Sequence, residues 1–465
     1  MKYFFETYGC QMNKAESASI EQLFIDRGWE EAENPGVADF IVINTCSVRA
    51  TAESRISGRL GWFSALRKER KKAAETGEDT YIQPDKHSEK FLVSPKDFTL
   101  VVTGCMAERL KDDLKKQYPV VNYVVGTFQK QNFLDIIQAS EKGVELQKID
   151  EEPVYTFAPL SYEKGSFQAF VPIMHGCNNF CAYCIVPYVR GREVSRSPKA
   201  ILEELDQLSA RKVREITLLG QNVNSYSYED EVYGKVDFPV LMQMIADHLK
   251  KIDSTIGWVR FMSSHPKDIS ERLIDVIAKE RVICRHIHLP VQHGSTKVLQ
   301  EMNRKYTRED YLSKVEMIKQ KLPDASLTTD IMLGFPGETE EDFQDCVTLL
   351  ETVGYEAAFM YYYNPREGTK AYTMENQIPL EIKKQRLSKV IDIQLAINRR
   401  EMTKRVGTVA KVLVECVSKD NENELLGRTE QDEHVVFPAS KDLIGSFTSV
   451  KILELVGNTF KGELV

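Results

Sequence analysis

Residues 169–184 read Ala169-Phe170-Val171-Pro172-Ile173-Met174-His175-Gly176-Cys177-Asn178-Asn179-Phe180-Cys181-Ala182-Tyr183-Cys184. The apolar run at 169–174 has the length of a buried strand. Cys177, Cys181 and Cys184 follow it in the spacing Cx3Cx2C. Three thiolates this close can wrap one small cluster of iron. A cubane [4Fe–4S] cluster normally takes four cysteines, so three leave one iron open to another ligand. Zinc is an alternative, with His175 as the fourth ligand. Three buried structural cysteines are another.

Downstream, residues 215–219, 258–262, 286–289, 327–333 and 358–363 also read as strands, with helical segments between most of them. Six strands alternating with helices predict a partial β/α barrel, open on one side to a large substrate. In such barrels, functional groups collect at the carboxyl ends of the strands. The text at those ends is polar or rich in glycine: Gly220-Gln221-Asn222, Ser263-Ser264-His265-Pro266, Pro290-Val291-Gln292-His293-Gly294, Gly334-Phe335-Pro336-Gly337-Glu338 and Asn364-Pro365-Arg366-Glu367-Gly368. Any one of these could be a plain turn. Their shared position points to a site.

The first 150 residues alternate as well, with strands expected at 3–7, 40–44, 99–103 and 123–125. This pattern predicts a parallel α/β sheet. Cys10, Cys46 and Cys105 each follow one of its first three strands. The carboxyl ends of parallel strands lie along one edge, where ligands bind. Three thiols far apart in sequence would thus converge on a second three-cysteine cluster; the alternative is three buried structural cysteines. Cys284, Cys346 and Cys416 read as core or incidental residues. Between residues 66 and 95 the pattern breaks. Arg67-Lys68-Glu69-Arg70-Lys71-Lys72 and the polar stretch after it read as an inserted, mobile surface segment, either a solvated helix end plus loop or a contact for a polyanion. Residues 151–159 read as an acidic, proline-containing linker.

Residues 380–405 read as one long helix, with eight basic and three acidic residues from Glu381 onward. Its Lys383, Lys384, Arg386, Arg399 and Arg400 form either a solvated face or a contact to a nucleic-acid backbone. After Gly407, β-rich runs at 409–417, 434–437 and 449–455 predict a small barrel. The whole chain has 465 residues, 42% hydrophobic and 28% charged, as expected of about three globular domains. A net charge of -8 confines any nucleic acid to a local basic patch. No apolar run reaches the roughly 18–20 residues of a membrane span, and Glu6 comes too early for a signal peptide. A cytoplasmic chain with no membrane partner is expected. Nine cysteines, an odd number, read in a reducing compartment as ligands before they read as bridges.

With Tyr183 just before its last cysteine, the Cx3Cx2C segment resembles the signature of radical S-adenosylmethionine (SAM) enzymes. The chain as a whole resembles the radical SAM methylthiotransferases. The matching text is Tyr8-Gly9-Cys10-Gln11-Met12-Asn13, Asn44-Thr45-Cys46-Ser47-Val48-Arg49, Gly104-Cys105-Met106-Ala107-Glu108-Arg109, Gly334-Phe335-Pro336-Gly337-Glu338-Thr339 and Leu426-Gly427-Arg428-Thr429. Gln11-Met12-Asn13 is similar to the MiaB-type branch, which acts on N6-isopentenyladenosine in tRNA. Glu16 stands where that branch more often has Asp, and the segment 67–96 is longer than usual. The resemblance implies an α/β fold of three domains: a flavodoxin-like N-terminal methylthiotransferase domain (1–150), a partial (β/α)6 radical SAM barrel (160–395) and a small C-terminal β-barrel of the RNA-binding TRAM type (400–465).

It also implies a transferase that converts N6-isopentenyladenosine at position 37 of tRNA to its 2-methylthio form. Cys177, Cys181 and Cys184 would hold the catalytic [4Fe–4S] cluster that cleaves SAM to a radical. Cys10, Cys46 and Cys105 would hold an auxiliary [4Fe–4S] cluster that carries the sulfur. One SAM would methylate that sulfur, and a second would give the radical that activates C2. Tyr183, Gln221, Asn222, Gln292 and Asp330 are expected around SAM. The implied partners are tRNA carrying N6-isopentenyladenosine at position 37 and an electron donor such as flavodoxin. The chemistry is consistent: an aromatic C2–H offers no acidic proton to a general base, and a base beside the anticodon must leave its stack to enter a pocket. Two rivals stand. One is a methylthiotransferase acting on threonylcarbamoyl-adenosine-37 or on ribosomal protein S12, separable by nucleoside analysis. The other is a non-enzymatic iron–sulfur carrier or RNA-binding scaffold, separable by SAM cleavage.

Overall fold

The computed structural model describes residues 1–47, 50–84, 88–146 and 155–465. They form two compact units. The first comprises Met1–Lys164, Phe170–Gly176 and Ile185–Arg192. Its parallel sheet has the strand order Glu30–Glu31, Lys2–Thr7, Phe40–Thr45, Thr99–Gly104, Tyr123–Val125. In chain order this is 2-1-3-4-5, the flavodoxin-like arrangement. The central strands Phe40-Ile41-Val42-Ile43 and Leu100-Val101-Val102 are buried throughout, because helices cover both faces. Phe40, Val42 and Val101 pack with Phe24, Phe133 and Ile136. Ile41, Ile43 and Val102 turn the other way, toward Ile56, Leu60 and Phe63. The pair Glu30–Glu31 is exposed and carries no apolar signal, so it escaped the sequence reading.

The segment after residue 66 starts as a helix end, as the plainer expectation had it, but that end is not simply solvated. The charge run lies inside the helix Ala50–Thr76, and two of its arginines point inward. Arg67 donates to Val120 O at 2.8 Å and to Asn122 Oδ1 at 2.9 Å. Arg70, 1% exposed, donates to Pro35 O, Ala38 O and Lys96 O at 2.8–2.9 Å. These acceptors lie just before or at the starts of the strands, where backbone oxygens lack ladder partners. A helical guanidinium satisfies several at once. Beyond the helix, Tyr81–Ile82 pairs with Phe91–Leu92 as a short antiparallel ribbon; residues 85–87 lie outside the described residues. So do residues 151–154 of the expected linker, and Val48 and Arg49 of the second cysteine motif.

The second unit comprises Gly165–Ala169, Cys177–Cys184 and Glu193–Val465. One of its sheets has the order Trp258–Phe261, Glu215–Leu219, Gln168–Pro172, the last strand running on into the first unit. The other has the order His286–His288, Ser326–Leu333, Ala357–Tyr362. A parallel bridge between Val259 and Ile283 links the two, giving the expected six-stranded partial barrel. Five of its described helices start on side-chain oxygen caps. Ser197, Asp237 and Ser270 accept the amides of Ala200, Val240 and Leu273. Thr307 and Thr339 form capping boxes with Asp310 and Asp342.

The long helix spans Leu380–Thr403. After it, Val409–Val417, Glu424–Thr429, His434–Pro438, Thr459–Leu464 and Phe447–Val456 close into a five-stranded barrel in that order. The two strands missed in the sequence, Glu424–Thr429 and Thr459–Leu464, each contain a glycine that breaks the apolar alternation. The small barrel docks on the larger one through Trp258 and Phe447, whose rings cross at 71° with centroids 4.8 Å apart. Arg260 donates to Glu215 at 2.7 Å and to Thr429 O at 2.6 Å. Arg428 donates to Glu215 at 2.7 Å and to Glu415 at 2.9 Å.

Candidate functional site

Cys10, Cys46 and Cys105 stand at the carboxyl ends of three adjacent strands. Thr7 pairs with Asn44, and Thr45 with Gly104, so the three strands end at nearly one level and their following residues leave the same sheet edge. Gly9 and Gly104 let the backbones close in. A Cβ on Gly9 would lie 2.7 Å from Cys46 Cβ, and one on Gly104 would lie 2.3 Å from Thr45 O; their φ angles are +138° and +94°. Asn13, fully buried, clasps the site. Its Nδ2 donates to Asn44 Oδ1 at 2.8 Å and to Thr45 O at 2.9 Å, and its Oδ1 accepts from Cys10 Sγ at 3.2 Å.

Arg190 enters this site from the segment Ile185–Arg192. Its Nε donates to Cys105 Sγ at 3.2 Å, and its Nη1 and Nη2 donate to the Glu16 carboxylate at 2.9 and 3.3 Å. Burial alone would raise the Glu16 carboxyl, but Arg190 and Lys130 outweigh it and hold the group well below the usual range. Burial pushes the free Cys105 thiol up to about 11 despite Arg190, so an ionised sulfur there calls for a positive partner, an iron ion included.

The Cx3Cx2C loop hangs on hydrogen bonds within the second unit. Asn303 Nδ2 donates to Asn179 O at 3.2 Å and to Phe180 O at 2.9 Å. The Ala182 amide donates to Met302 O, and Ala182 O accepts from Ala371 N. Arg304 donates to Cys181 Sγ at 3.4 Å, to the Tyr183 hydroxyl at 3.3 Å and to Pro290 O at 2.8 Å. Burial, above all, pushes the free Cys177 thiol up to about 11. His175 packs in the first unit, stacked on Tyr155 with ring centroids 3.5 Å apart. Among the described residues no three Cys, His, Asp or Glu side chains gather closely enough to hold a single metal ion.

The expected SAM residues divide. Gln292 and Asp330 meet at 3.4 Å, and Tyr361 donates to Gln292 Oε1 at 2.8 Å. Gln292 has φ +71°, a strained conformation of the kind found at ligand sites. Asn222 is tied to Asp268 at 2.7 Å. The buried Gln221 Oε1, Asn222 Oδ1 and His265 Nε2 find no hydrogen-bond partner among the described residues. Such orphans at strand ends fit a polar cofactor. Arg304, Tyr361 and His265 were missed as candidates; His265 lies in one of the polar strand-end segments and Tyr361 in a strand run, whereas no signal marked Arg304.

Some candidates are structural. Lys383 is buried and donates to Tyr363 O at 3.1 Å. Arg386 is buried against Glu338. Neither is offered to a phosphate, because the helix turns this face to the barrel. Lys384, Arg399 and Arg400 are exposed. Cys284 packs with Trp258 and Leu413. Cys346 is buried and accepts from the Gly294 amide, whereas Cys416 is exposed.

Residues 2–126 match the Uncharacterized protein family UPF0004, residues 171–350 the Radical SAM superfamily and residues 403–465 the TRAM domain. A tRNA-2-methylthio-N(6)-dimethylallyladenosine synthase of Treponema denticola is 48% identical, with all of both chains covered. The chain belongs to the family of these synthases. A family member from Bacteroides fragilis is 42% identical, covering 100% of this chain and 96% of its own. The radical SAM methyltransferase TsrM from Kitasatospora setae shares the fold, with a TM-score of 0.58 at 13% identity, over 83% of this chain and 78% of its own. Among the synthases, the three matched regions follow one another in this chain as flavodoxin-like sheet, partial barrel and small closed barrel.

Proposed function

We propose that this chain is a radical SAM transferase of tRNA, which methylthiolates C2 of N6-isopentenyladenosine at position 37. Two [4Fe–4S] clusters and SAM supply radical chemistry at the barrel and a transferable sulfur at the N-terminal sheet. The observation that carries the reading is the placement of the cysteines: Cys10, Cys46 and Cys105 each follow a strand of one parallel sheet, with Arg190 on Cys105 Sγ, and Cys177, Cys181 and Cys184 follow a barrel strand, with Arg304 on Cys181 Sγ. We assign Cys177, Cys181 and Cys184 to the radical cluster, and Cys10, Cys46 and Cys105 to the auxiliary one. Arg304 orients Cys181 and Tyr183 together. Gln292, Asp330, Gln221 and Asn222 offer hydrogen bonds to the polar parts of SAM, and Gln292 is held for this by Tyr361.

The domain limits we propose are 1–150, 160–395 and 400–465. The exposed basic residues Lys384, Arg399 and Arg400 are offered to tRNA phosphates, and the small barrel shares in holding the RNA. An electron donor such as flavodoxin completes the system in the cytoplasm. No helix among the described residues is long and apolar enough to cross a membrane.

Nucleoside mass analysis of tRNA from a deletion strain tests the assignment. Loss of 2-methylthio-N6-isopentenyladenosine, restored by the intact gene, is expected. Persistence of that nucleoside, with loss of a methylthiolated threonylcarbamoyl-adenosine or of modified S12, would move the substrate to one of the rivals.

A further inference from the structure

The N-terminal site holds a buried charge network centred on Arg190. Arg190 is 3% exposed and Glu16 4%. Besides its two bonds to Glu16 and its Nε–H to Cys105 Sγ, Arg190 places Nη1 3.5 Å from His175 Nδ1. Lys130 Nζ reaches the same carboxylate at 2.6 Å and stands 5.4 Å above the Tyr155 ring. Two cations therefore share one carboxylate, and the network carries a net positive charge against the cysteine sulfur.

We propose that Arg190 is a positioning residue for the auxiliary cluster: its Nε–H donates to the Cys105 sulfur, and the positive charge of the Arg190–Glu16–Lys130 network favours the reduced cluster. The inference rests on the assignment of Cys10, Cys46 and Cys105 as cluster ligands. Hydrogen bonds to sulfur, net charge and burial set the potentials of such clusters. Three thiolates give the cluster a negative charge that reduction increases, so a buried cation stabilises the reduced form more. Glu16 grips both Nη atoms, which fixes the direction in which Nε points. A shorter carboxylate at this position would have to draw Arg190 away from the sulfur or give up one of the two bonds.

The test uses the full chain with Cys177, Cys181 and Cys184 replaced by Ala, reconstituted anaerobically, so that one cluster is read. Its midpoint potential is followed by electron paramagnetic resonance during reductive titration. Arg190→Gln should leave the iron content unchanged and lower the potential. Arg190→Lys, which keeps the charge, should recover part of the drop. Glu16→Gln adds positive charge and should raise the potential, a direction that simple loosening of the site would not produce. It also decides the matter if Arg190→Gln fails to load iron. Equal potentials at full iron content, or a fall in Glu16→Gln, would overturn the proposal. A parent variant that binds no iron overturns the cysteine assignment beneath it.

Discussion

Arg386 donates to Glu338 Oε1 at 2.7 Å, and both side chains are buried. The other oxygen of Glu338 accepts the Gly334 and Phe335 amides at 2.6 and 3.2 Å and faces His293 Nε2 at 3.2 Å. One carboxylate thus ties the loops after two barrel strands to the long helix. Arg386→Ala would leave a buried charge with fewer partners. With His293 still present, a stability loss near the lower end of about 3–5 kcal/mol is expected in urea unfolding. A loss below about 1 kcal/mol, the scale of a surface pair, would contradict this.

The two cysteine sets should separate in function. The reconstituted chain should hold about eight irons as two cubanes. Replacing Cys177, Cys181 and Cys184 by Ala should halve the iron and abolish SAM cleavage. Replacing Cys10, Cys46 and Cys105 should also halve it, yet leave cleavage of SAM to 5′-deoxyadenosine intact while methylthiolated tRNA disappears. A melting curve accompanies the assay, since metal binding and folding are coupled. Multiple turnovers of product from the second variant would refute the sulfur-carrying role.

Gly104→Ala forces a Cβ toward Thr45 O at a positive φ. Strain of this kind costs on the order of 1–3 kcal/mol. We expect a lower melting temperature and a reduced iron load at the N-terminal site, with SAM cleavage retained. An unchanged iron content would show that the close approach of these two strand ends is dispensable.

Burial lifts the Glu433 carboxyl from about 4.5 to about 7, although Arg405 stands 2.7 Å away; Glu356 adds to the rise. Between those values the folded chain holds a proton that the unfolded chain has released. This group's contribution therefore makes stability fall as pH rises from about 4.5 to about 7, and level off above. Glu433→Gln should flatten that decline in melts taken across the range. A decline of the same size in the variant would assign it to another group.

Arg399 is exposed on the long helix whereas Lys383 is buried on it. Arg399→Ala should weaken tRNA binding and reduce the dependence of log affinity on log salt by about one phosphate contact. Stability should stay within about 0.5 kcal/mol of the parent. Lys383→Ala should do the reverse, lowering stability with an unchanged salt slope. Identical slopes for Arg399→Ala and the parent would remove this helix from the RNA surface.

The sequence by itself determined the local features of this protein: the apolar strand runs of the two α/β regions, the Cx3Cx2C spacing, and the glycine before Cys10 and Cys105. Those signals are local, because strand and helix periodicity and turn chemistry act between neighbours along the chain. The alternation of strand and helix was also enough to place Cys10, Cys46 and Cys105 at one sheet edge. The tertiary structure decided the partners of the charged residues. Arg67, Arg70, Lys383 and Arg386 sit in runs that look solvated, yet each turns inward to oxygens 20 to 55 residues away. Arg304 and Arg190 reach sulfurs 123 and 85 residues distant. A buried charge must find its counterpart, and what it finds is set by which chain segments packing brings together. No periodicity in the sequence records that.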